Sequence, residues 1–210
     1  MTSTTPRSGR KRLFLAVGTL LGIAALTTAA AFTDFANLNL GNGTSDSGIG
    51  GENRFNIQVV GTDTNGVPVP GTWQEANTAA GVNIKVPGAN TITPGDTVTT
   101  AIPFKNESPA LLAKVSFSLQ ERAGFTSDPA IRAALRYTIA LNGTAITGAS
   151  NVTQDAVSNL DLGTYAANGG SGVLTVTVTL PDQGSAAANN ALQGKISYVQ
   201  AHFAAISVQP

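Results

Sequence analysis

The sequence predicts an all-β fold: an antiparallel β-sandwich of jelly-roll type with one or two short helices. Three observations carry that prediction. Apolar residues recur with a period of two over most of the chain after residue 54. Turn formers punctuate these runs, with 23 Gly and 10 Pro in 210 residues. Charged residues make up 11% of the chain, less than half of the usual fraction of about a quarter, which argues against a coiled coil or a charged disordered tail.

The elements follow in order. Phe55, Ile57 and Val59 alternate with polar Asn56 and Gln58. A period of two puts successive side chains on opposite faces, so these residues form a half-buried strand. Thr93-Pro94-Gly95-Asp96 is a turn into a strand over 98–104, where Val98, Ile102 and Phe104 share a face. Val115, Phe117 and Leu119 alternate with Lys114, Ser116 and Ser118. Ser127-Asp128-Pro129 before residues 130–135 reads as a capped short helix with Pro in its first turn. Tyr137, Ile139 and Leu141 lead into Asn142-Gly143 and then Thr144-Ala145-Ile146. That is a hairpin signal, because both central residues of a type I′ turn need positive φ. Gly169-Gly170-Ser171-Gly172 reads as a turn. Leu174, Val176, Val178 and Leu180 then alternate with Thr175, Thr177 and Thr179, giving one apolar face and one threonine face. Residues 186–192 suit a helical turn or two, and the last strand runs from about Ile196 to Val208. Strands with a single apolar face, joined by Gly- and Pro-rich turns, pack as an antiparallel sandwich.

The N-terminus is built differently. Arg7, Arg10, Lys11 and Arg12 precede an uncharged run over 13–26, and no acid appears before Asp34. The run ends in Thr27-Thr28 and Ala29-Ala30-Ala31. A basic start, an apolar core and a small-residue exit make an export signal over residues 1–31. Fourteen residues of helix span about 21 Å, short of the ~30 Å hydrocarbon core. Counting on to Phe32 gives a stretch long enough for an uncleaved anchor, so that alternative stays open. The Ala-x-Ala site places cleavage after Ala31, with Ala29 and Ala31 read by the peptidase and Phe32 first in the mature chain. Cleavage leaves eight basic against twelve acidic residues, a net charge of −4. Residues 41–52, with five glycines among small polar residues, form a linker or long loop. The organisation is thus a signal peptide (1–31), an N-terminal strand with its Gly-rich linker (32–50) and a β-sandwich domain (51–210).

Composition narrows the chemistry. The chain has no cysteine, which excludes thiol catalysis, Cys-type zinc sites and disulfides. The formal net charge of the whole chain is zero, so nucleic acid is not an expected partner. His202 is the single histidine and cannot supply the two or three ligands of a catalytic zinc site. Its place beside Phe203 on a strand suits a satisfied structural residue. Asp63-Thr64-Asn65-Gly66 starts like a calcium loop but lacks the later acid, and an Asx turn is the simpler reading. Gly-x-Ser-x-Gly is absent. Trp73, Tyr137, Tyr165 and Tyr198 are candidates for a sugar-stacking platform, with ordinary packing as the alternative. Asn42, Asn106, Asn142 and Asn151 head formal glycosylation triplets, here read as turns. No cofactor, no metal and no enzymatic activity are expected.

Ala31-Phe32-Thr33-Asp34 after the small-residue exit resembles signals processed by a SipW-type peptidase. Thr93-Pro94-Gly95-Asp96, the strand after it and Lys105-Asn106-Glu107-Ser108 resemble the Pro-Gly-Asp turn and the Phe-x-Asn-x-Gly/Ser turn of the TasA and camelysin family. Phe55-Asn56-Ile57-Gln58-Val59 is similar to that family's first core strand, and Asn190, Gln193-Gly194, Phe203, Ala205 and Gln209 to its closing strand. Residues 61–89, with Pro68, Pro70, Pro87 and Trp73, have no counterpart in the pattern. The resemblance implies a secreted jelly-roll subunit of a cell surface or biofilm matrix, in some members fibre-forming by donor-strand complementation. Its partners would be other copies of itself, and the signal peptidase during export. The membrane would be met only transiently, through the signal segment. Phe32, Ala36, Leu38 and Leu40 share one parity and are the candidate donor strand. A first strand paired within its own domain, or a tail, is the alternative. The competing function is a secreted binding module, an adhesin or carbohydrate reader. The metalloprotease role attached to camelysin-like proteins finds no support in these residues.

The export reading has a direct consequence. N-terminal sequencing of the protein recovered outside the producing cells should start at Phe32-Thr33-Asp34-Phe35. Only full-length chain in membranes, or a start beyond residue 50, would contradict it.

Overall fold

The computed structural model describes residues 54–209. The expected signal segment, the expected cleavage residues Ala29, Ala31 and Phe32, the candidate donor residues Phe32, Ala36, Leu38 and Leu40, and the expected glycine linker lie outside them. Among the described residues, nine strands form: β1 Ile57–Thr62, β2 Pro68–Gln74, β3 Thr97–Asn106, β4 Leu112–Glu121, β5 Arg136–Leu141, β6 Thr144–Ala145, β7 Leu160–Tyr165, β8 Gly170–Thr179 and β9 Val199–Val208. The two short helices are α1 Pro129–Ala134 and α2 Ala186–Asn190.

Every strand pair is antiparallel. Six strands make one sheet in the order β2-β1-β3-β8-β5-β6, and three make the other in the order β7-β4-β9. From β3 to β9 the chain changes sheet at every connection except the β5–β6 hairpin. This crossing from layer to layer is jelly-roll wrapping, and the fold is an all-β sandwich as the alternation predicts.

The core follows the period of two. On β4, Ala113, Val115, Phe117 and Leu119 are buried while Lys114, Ser116, Ser118 and Gln120 are not. Ile102 and Phe104 of β3, Tyr137 and Ile139 of β5, and Leu174 and Val176 of β8 meet them from the six-stranded sheet. Burying each large side chain stabilises the fold by roughly 1.5–3 kcal/mol. Phe104 anchors an aromatic group, with Tyr165 edge-on at 4.9 Å and Phe203 at 5.1 Å; Phe203 also lies 5.2 Å from Phe117. The threonine face points outward, where Thr97 and Thr179, and Thr99 and Thr177, hydrogen-bond across β3 and β8 at 3.0 and 3.2 Å.

Local chemistry ends each element. Asn142 and Gly143 have φ of 49° and 81°, the type I′ geometry of the β5–β6 hairpin. Asp128 caps α1, its Oδ1 accepting from the Ala130 N–H at 2.9 Å. Arg136 Nη1 donates to the carbonyls of Ala133, Ala134 and Leu135, satisfying the orphan acceptors at the other end of α1. In the Thr93–Asp96 turn, Gly95 takes φ of 99° after Pro94, and Asp96 Oδ2 accepts from both the N–H and the hydroxyl of Thr93.

Asn106 ties the β3–β4 and β7–β8 connections together. It is fully buried. Its Nδ2 donates to the carbonyls of Leu111 (2.8 Å), Tyr165 (3.2 Å) and Ala166 (3.1 Å), and its Oδ1 accepts from the Ser108 N–H (3.1 Å). The Ser108 hydroxyl in turn accepts from the Asn56 N–H at 2.9 Å, just before β1.

The structure departs from the sequence-based expectation at four places. Residues 61–89 contribute β2, which returns along β1 after an Asx turn at Asp63; the Asp63 carboxylate accepts from the N–H groups of Asn65 (2.8 Å) and Val67 (2.9 Å). β7 went unforeseen because Gly163, at φ of 93°, and a register shift break its alternation. Gly169-Gly170-Ser171-Gly172 is only in part a turn. Asn168 and Gly169 make the reversal, whereas Gly170–Gly172 already pair with Asn106, Lys105 and Phe104. Gly172 is needed in the strand, since a Cβ there would lie 2.9 Å from Phe104 Cζ and 3.0 Å from Tyr165 Oη. Finally, β9 begins at Val199 rather than Ile196. Residues 196–198 bond instead to Arg122, Ser127 and Asp128.

Asn106→Leu would remove the side-chain donor that serves the carbonyls of Leu111, Tyr165 and Ala166 and the acceptor of the buried Ser108 N–H. It should cost about 3 kcal/mol or more in chemical denaturation. Ser116→Ala, outside the core, should stay within about 0.5 kcal/mol. Equal effects of the two would deny Asn106 its central role.

Candidate functional site

The four outer strands differ in how they meet solvent. An exposed strand edge is a row of unpaired N–H and C=O groups that can pair with another chain unless it is short, bulged, charged or interrupted by proline. β6 has two residues. β2 carries Pro68 and Pro70, which have no N–H to offer. β7 is six residues long, holds the register shift and bears Asp161. β9 is ten residues long and pairs with β4 without a break from Val199–Glu121 to Val208–Leu112. It contains no proline and no acidic residue, Lys or Arg. On its other side no strand follows, and no backbone bond reaches it among the described residues. Near its start, Gln200 Nε2 donates to the Ala79 carbonyl at 3.1 Å, so the irregular segment after β2 passes there.

Burial across β9 points the same way. Ala201, Phe203, Ala205 and Ser207 stand opposite Leu119, Phe117, Val115 and Ala113, and share their inward parity. All four β4 residues are buried. On β9, however, Phe203 and Ala205 are half-buried, and Ala201 and Ser207 are exposed. Cover is therefore lost within one strand spacing of about 4.8 Å. A further strand beside β9 would restore it. On the outer face Ile206 is 65% exposed, with Ala204 before it. This edge can add a strand through main-chain hydrogen bonds and seat alternate apolar side chains against Phe203 and Ala205.

The polar residues at the entry to β9 hold it in place. Lys195 Nζ lies 2.7 Å from Asp128 Oδ2, joining the approach to β9 to the cap of α1. The Ser127 hydroxyl accepts from the Tyr198 N–H at 2.8 Å, and the Ser127 N–H donates to Glu121 Oε1. These bonds lower carboxylate pKa values. Asp128 is lowered by the hydrogen bond from Lys195 and then by the Ala130 N–H; Glu121 is lowered by Ser127.

The residues singled out in the sequence are scattered. His202 is exposed on the outer face of β9 opposite Ser118, not packed as a satisfied structural residue. The alternation around Phe203 hid this, because an edge strand with one covered face leaves its other parity in water. The four platform candidates do not come together. Tyr137 is buried, Tyr165 packs on Phe104 and donates to the Leu162 carbonyl at 2.9 Å, and Tyr198 lies 4.8 Å from Phe125. Trp73 sits under Lys105 Nζ at 5.0 Å. Asn142 and Asn151 are turn residues with φ of 49° and 55°. Among the described residues no three potential metal ligands converge. No protein-family model matches the chain, and no curated protein matches it.

Asp128 yields a pH prediction. Its folded pKa lies below the unfolded value of about 3.9, so its stabilisation is present above that value and is lost as pH falls through the folded pKa. The stability gap between wild type and Asp128→Asn should be widest near neutrality and close toward pH 2. Denaturation midpoints across that range measure it, and a gap independent of pH would refute the assignment.

Proposed function

We propose that this chain is a secreted structural subunit of a cell surface or biofilm matrix, of the type the TasA and camelysin family provides, and that copies join at the β9 edge. The observation that carries this reading is the long, uncharged edge of β9, met near its start only by the segment at Ala79 and without backbone partners among the described residues, beside inward-facing residues that stay uncovered. The occupant is residues 32–40 of a second copy, with Phe32, Ala36, Leu38 and Leu40 on the inserting face and Asp34 sharing their parity. Nine extended residues span about 30 Å, enough to run the length of β9. The linker after them has glycines and one apolar residue, Ile49, which suits a tether rather than a strand. Three large apolar side chains contribute roughly 1.5–3 kcal/mol each on burial, against about 1–2 kcal/mol per residue for ordering the strand. Ordering nine residues outweighs the burial of three side chains on these figures, so the added main-chain hydrogen bonds must make up the difference and assembly depends on concentration. This role uses no catalytic residue and no cofactor.

A secreted binding module is the second reading. It is favoured by Phe125, which is 42% exposed, stacks near Tyr198 and lies under the Arg122 guanidinium at 4.2 Å. Such a patch suits stacking on a planar or sugar ligand.

Complementary variants separate these readings. Leu38→Asp with Leu40→Asp spoils the donor. Ala201→Lys with Ser207→Lys spoils the acceptor at two positions already exposed, where a lysine is tolerated by the folded domain. Wild type beginning at Phe32 should form oligomers or filaments by light scattering and electron microscopy. Each double variant should stay a folded monomer, and an equimolar mixture of the two should stop at dimers. Wild type that remains monomeric at every concentration, or an acceptor variant that assembles normally, overturns the proposal. Binding of a sugar polymer lost on Phe125→Ala would then favour the module.

A further inference from the structure

Around the junction of α1 and β5, four buried polar atoms have no hydrogen-bond partner among the described residues: Arg132 Nε, Tyr137 Oη, and both Nε2 and Oε1 of Gln154. Tyr137 and Gln154 are each 1% exposed. The topology gathers their residues. Tyr137 and Val152 exchange two backbone hydrogen bonds, at 2.7 and 3.0 Å. Gln154 follows Val152 by two residues, and Asp155 beside it pairs with Arg132 Nη2. Arg132 lies on α1, which runs directly into the strand that carries Tyr137.

Buried polar groups in folded proteins almost always find a partner. Here the unmet groups come from three residues on three segments, and they are chemically complementary. Arg132 Nε–H, the Tyr137 hydroxyl and the Gln154 amide offer donors, while Tyr137 Oη and Gln154 Oε1 offer acceptors. Burial pushes the Tyr137 pKa up to about 12, so the phenol keeps its proton at neutral pH. The Ser197 hydroxyl is close enough to ease ionisation but is not in hydrogen-bonding geometry with it. Asp155 balances the Arg132 charge. A bound anion would meet the Asp155 carboxylate and a cation the guanidinium, so the ligand is neutral, small, and able both to donate and to accept.

We propose that Arg132 Nε, Tyr137 Oη and the Gln154 side-chain amide form an internal binding site for water, which bridges α1, β5 and the segment around residues 152–157. A buried water typically makes about three hydrogen bonds to otherwise unmet polar groups, and the four unpartnered atoms of these residues offer the donors and acceptors it needs. The site is independent of whether copies assemble at β9.

The test uses near-isosteric variants, Tyr137→Phe and Gln154→Met, and reads two quantities. Water-oxygen magnetic relaxation dispersion detects long-lived internal water, and chemical denaturation gives the folding equilibrium constant. With a bridging water, each variant loses part of the slow dispersion and lowers the folding constant about tenfold, since the remaining groups are left unmet. The double variant should then cost less than the two singles combined, because both act on one ligand. If the groups are simply unpaired, removing them relieves a penalty. Variants as stable as wild type or more so overturn the site, as does wild-type dispersion retained in both.

Discussion

The buried side chain of Asn106 is the interaction on which the layered architecture depends most. A sandwich whose chain changes sheet at five of its eight strand connections must carry backbone polar groups across the ends of its core. At one end those groups converge on a single amide, which serves the carbonyls of Leu111, Tyr165 and Ala166 and the N–H of Ser108. Phe104 lies two residues before it, so the same strand end that satisfies the crossing backbone also places the ring against Tyr165 and Phe203. Polar satisfaction and aromatic packing are thus one constraint there. The glycines of β8 belong to it, because Gly172 leaves the room that Phe104 and Tyr165 occupy.

The second organising fact is the inequality of the sheets, six strands against three. The wider sheet closes its β2 edge with prolines and its β6 edge by brevity. The narrow sheet protects β7 with a bulge and a carboxylate and leaves β9 plain. Partial burial of Phe203 and Ala205, beside full burial of Phe117 and Val115, is what an edge looks like when its hydrophobic layer extends past its hydrogen-bonded ladder. The entry to β9 is, by contrast, densely polar: Glu121, Ser127, Asp128 and Lys195 hold the approach to the strand to the cap of α1 and the end of β4. A strand anchored at its start and open along its edge is suited to receive a partner strand without losing its own register.

Much of this was legible beforehand. Alternation identified β1, β3, β4, β5, β8 and β9; Asn142-Gly143 identified the β5–β6 turn; and Asp128-Pro129 identified the start of α1. In each case the signal is local, since side-chain parity, positive φ and capping act within a few residues. β2 and β7 were hidden for equally physical reasons. Prolines in Pro68–Gln74 mimic a loop, and the glycine bulge in Leu160–Tyr165 breaks the period. The candidate site was half legible: residues 199–208 read as a strand, but nothing in them says which side lacks a neighbour. His202 shows the same limit, since its parity was visible and its exposure was not.

The sequence by itself determined the fold class, the parity of each regular strand and the absence of cysteine chemistry, because these follow from residue type and spacing alone. Strand order was decided only in the tertiary structure. Which strand lies at an edge depends on pairings between residues as far apart as Leu112 and Val208, and no local propensity encodes them. The same holds for the meeting of Arg132, Tyr137 and Gln154, and for Asn106, whose acceptors are separated from it by as many as 60 positions. Hydrogen-bond satisfaction in a core is a property of the whole packing, so its centres emerge only when distant segments are brought within about 3 Å.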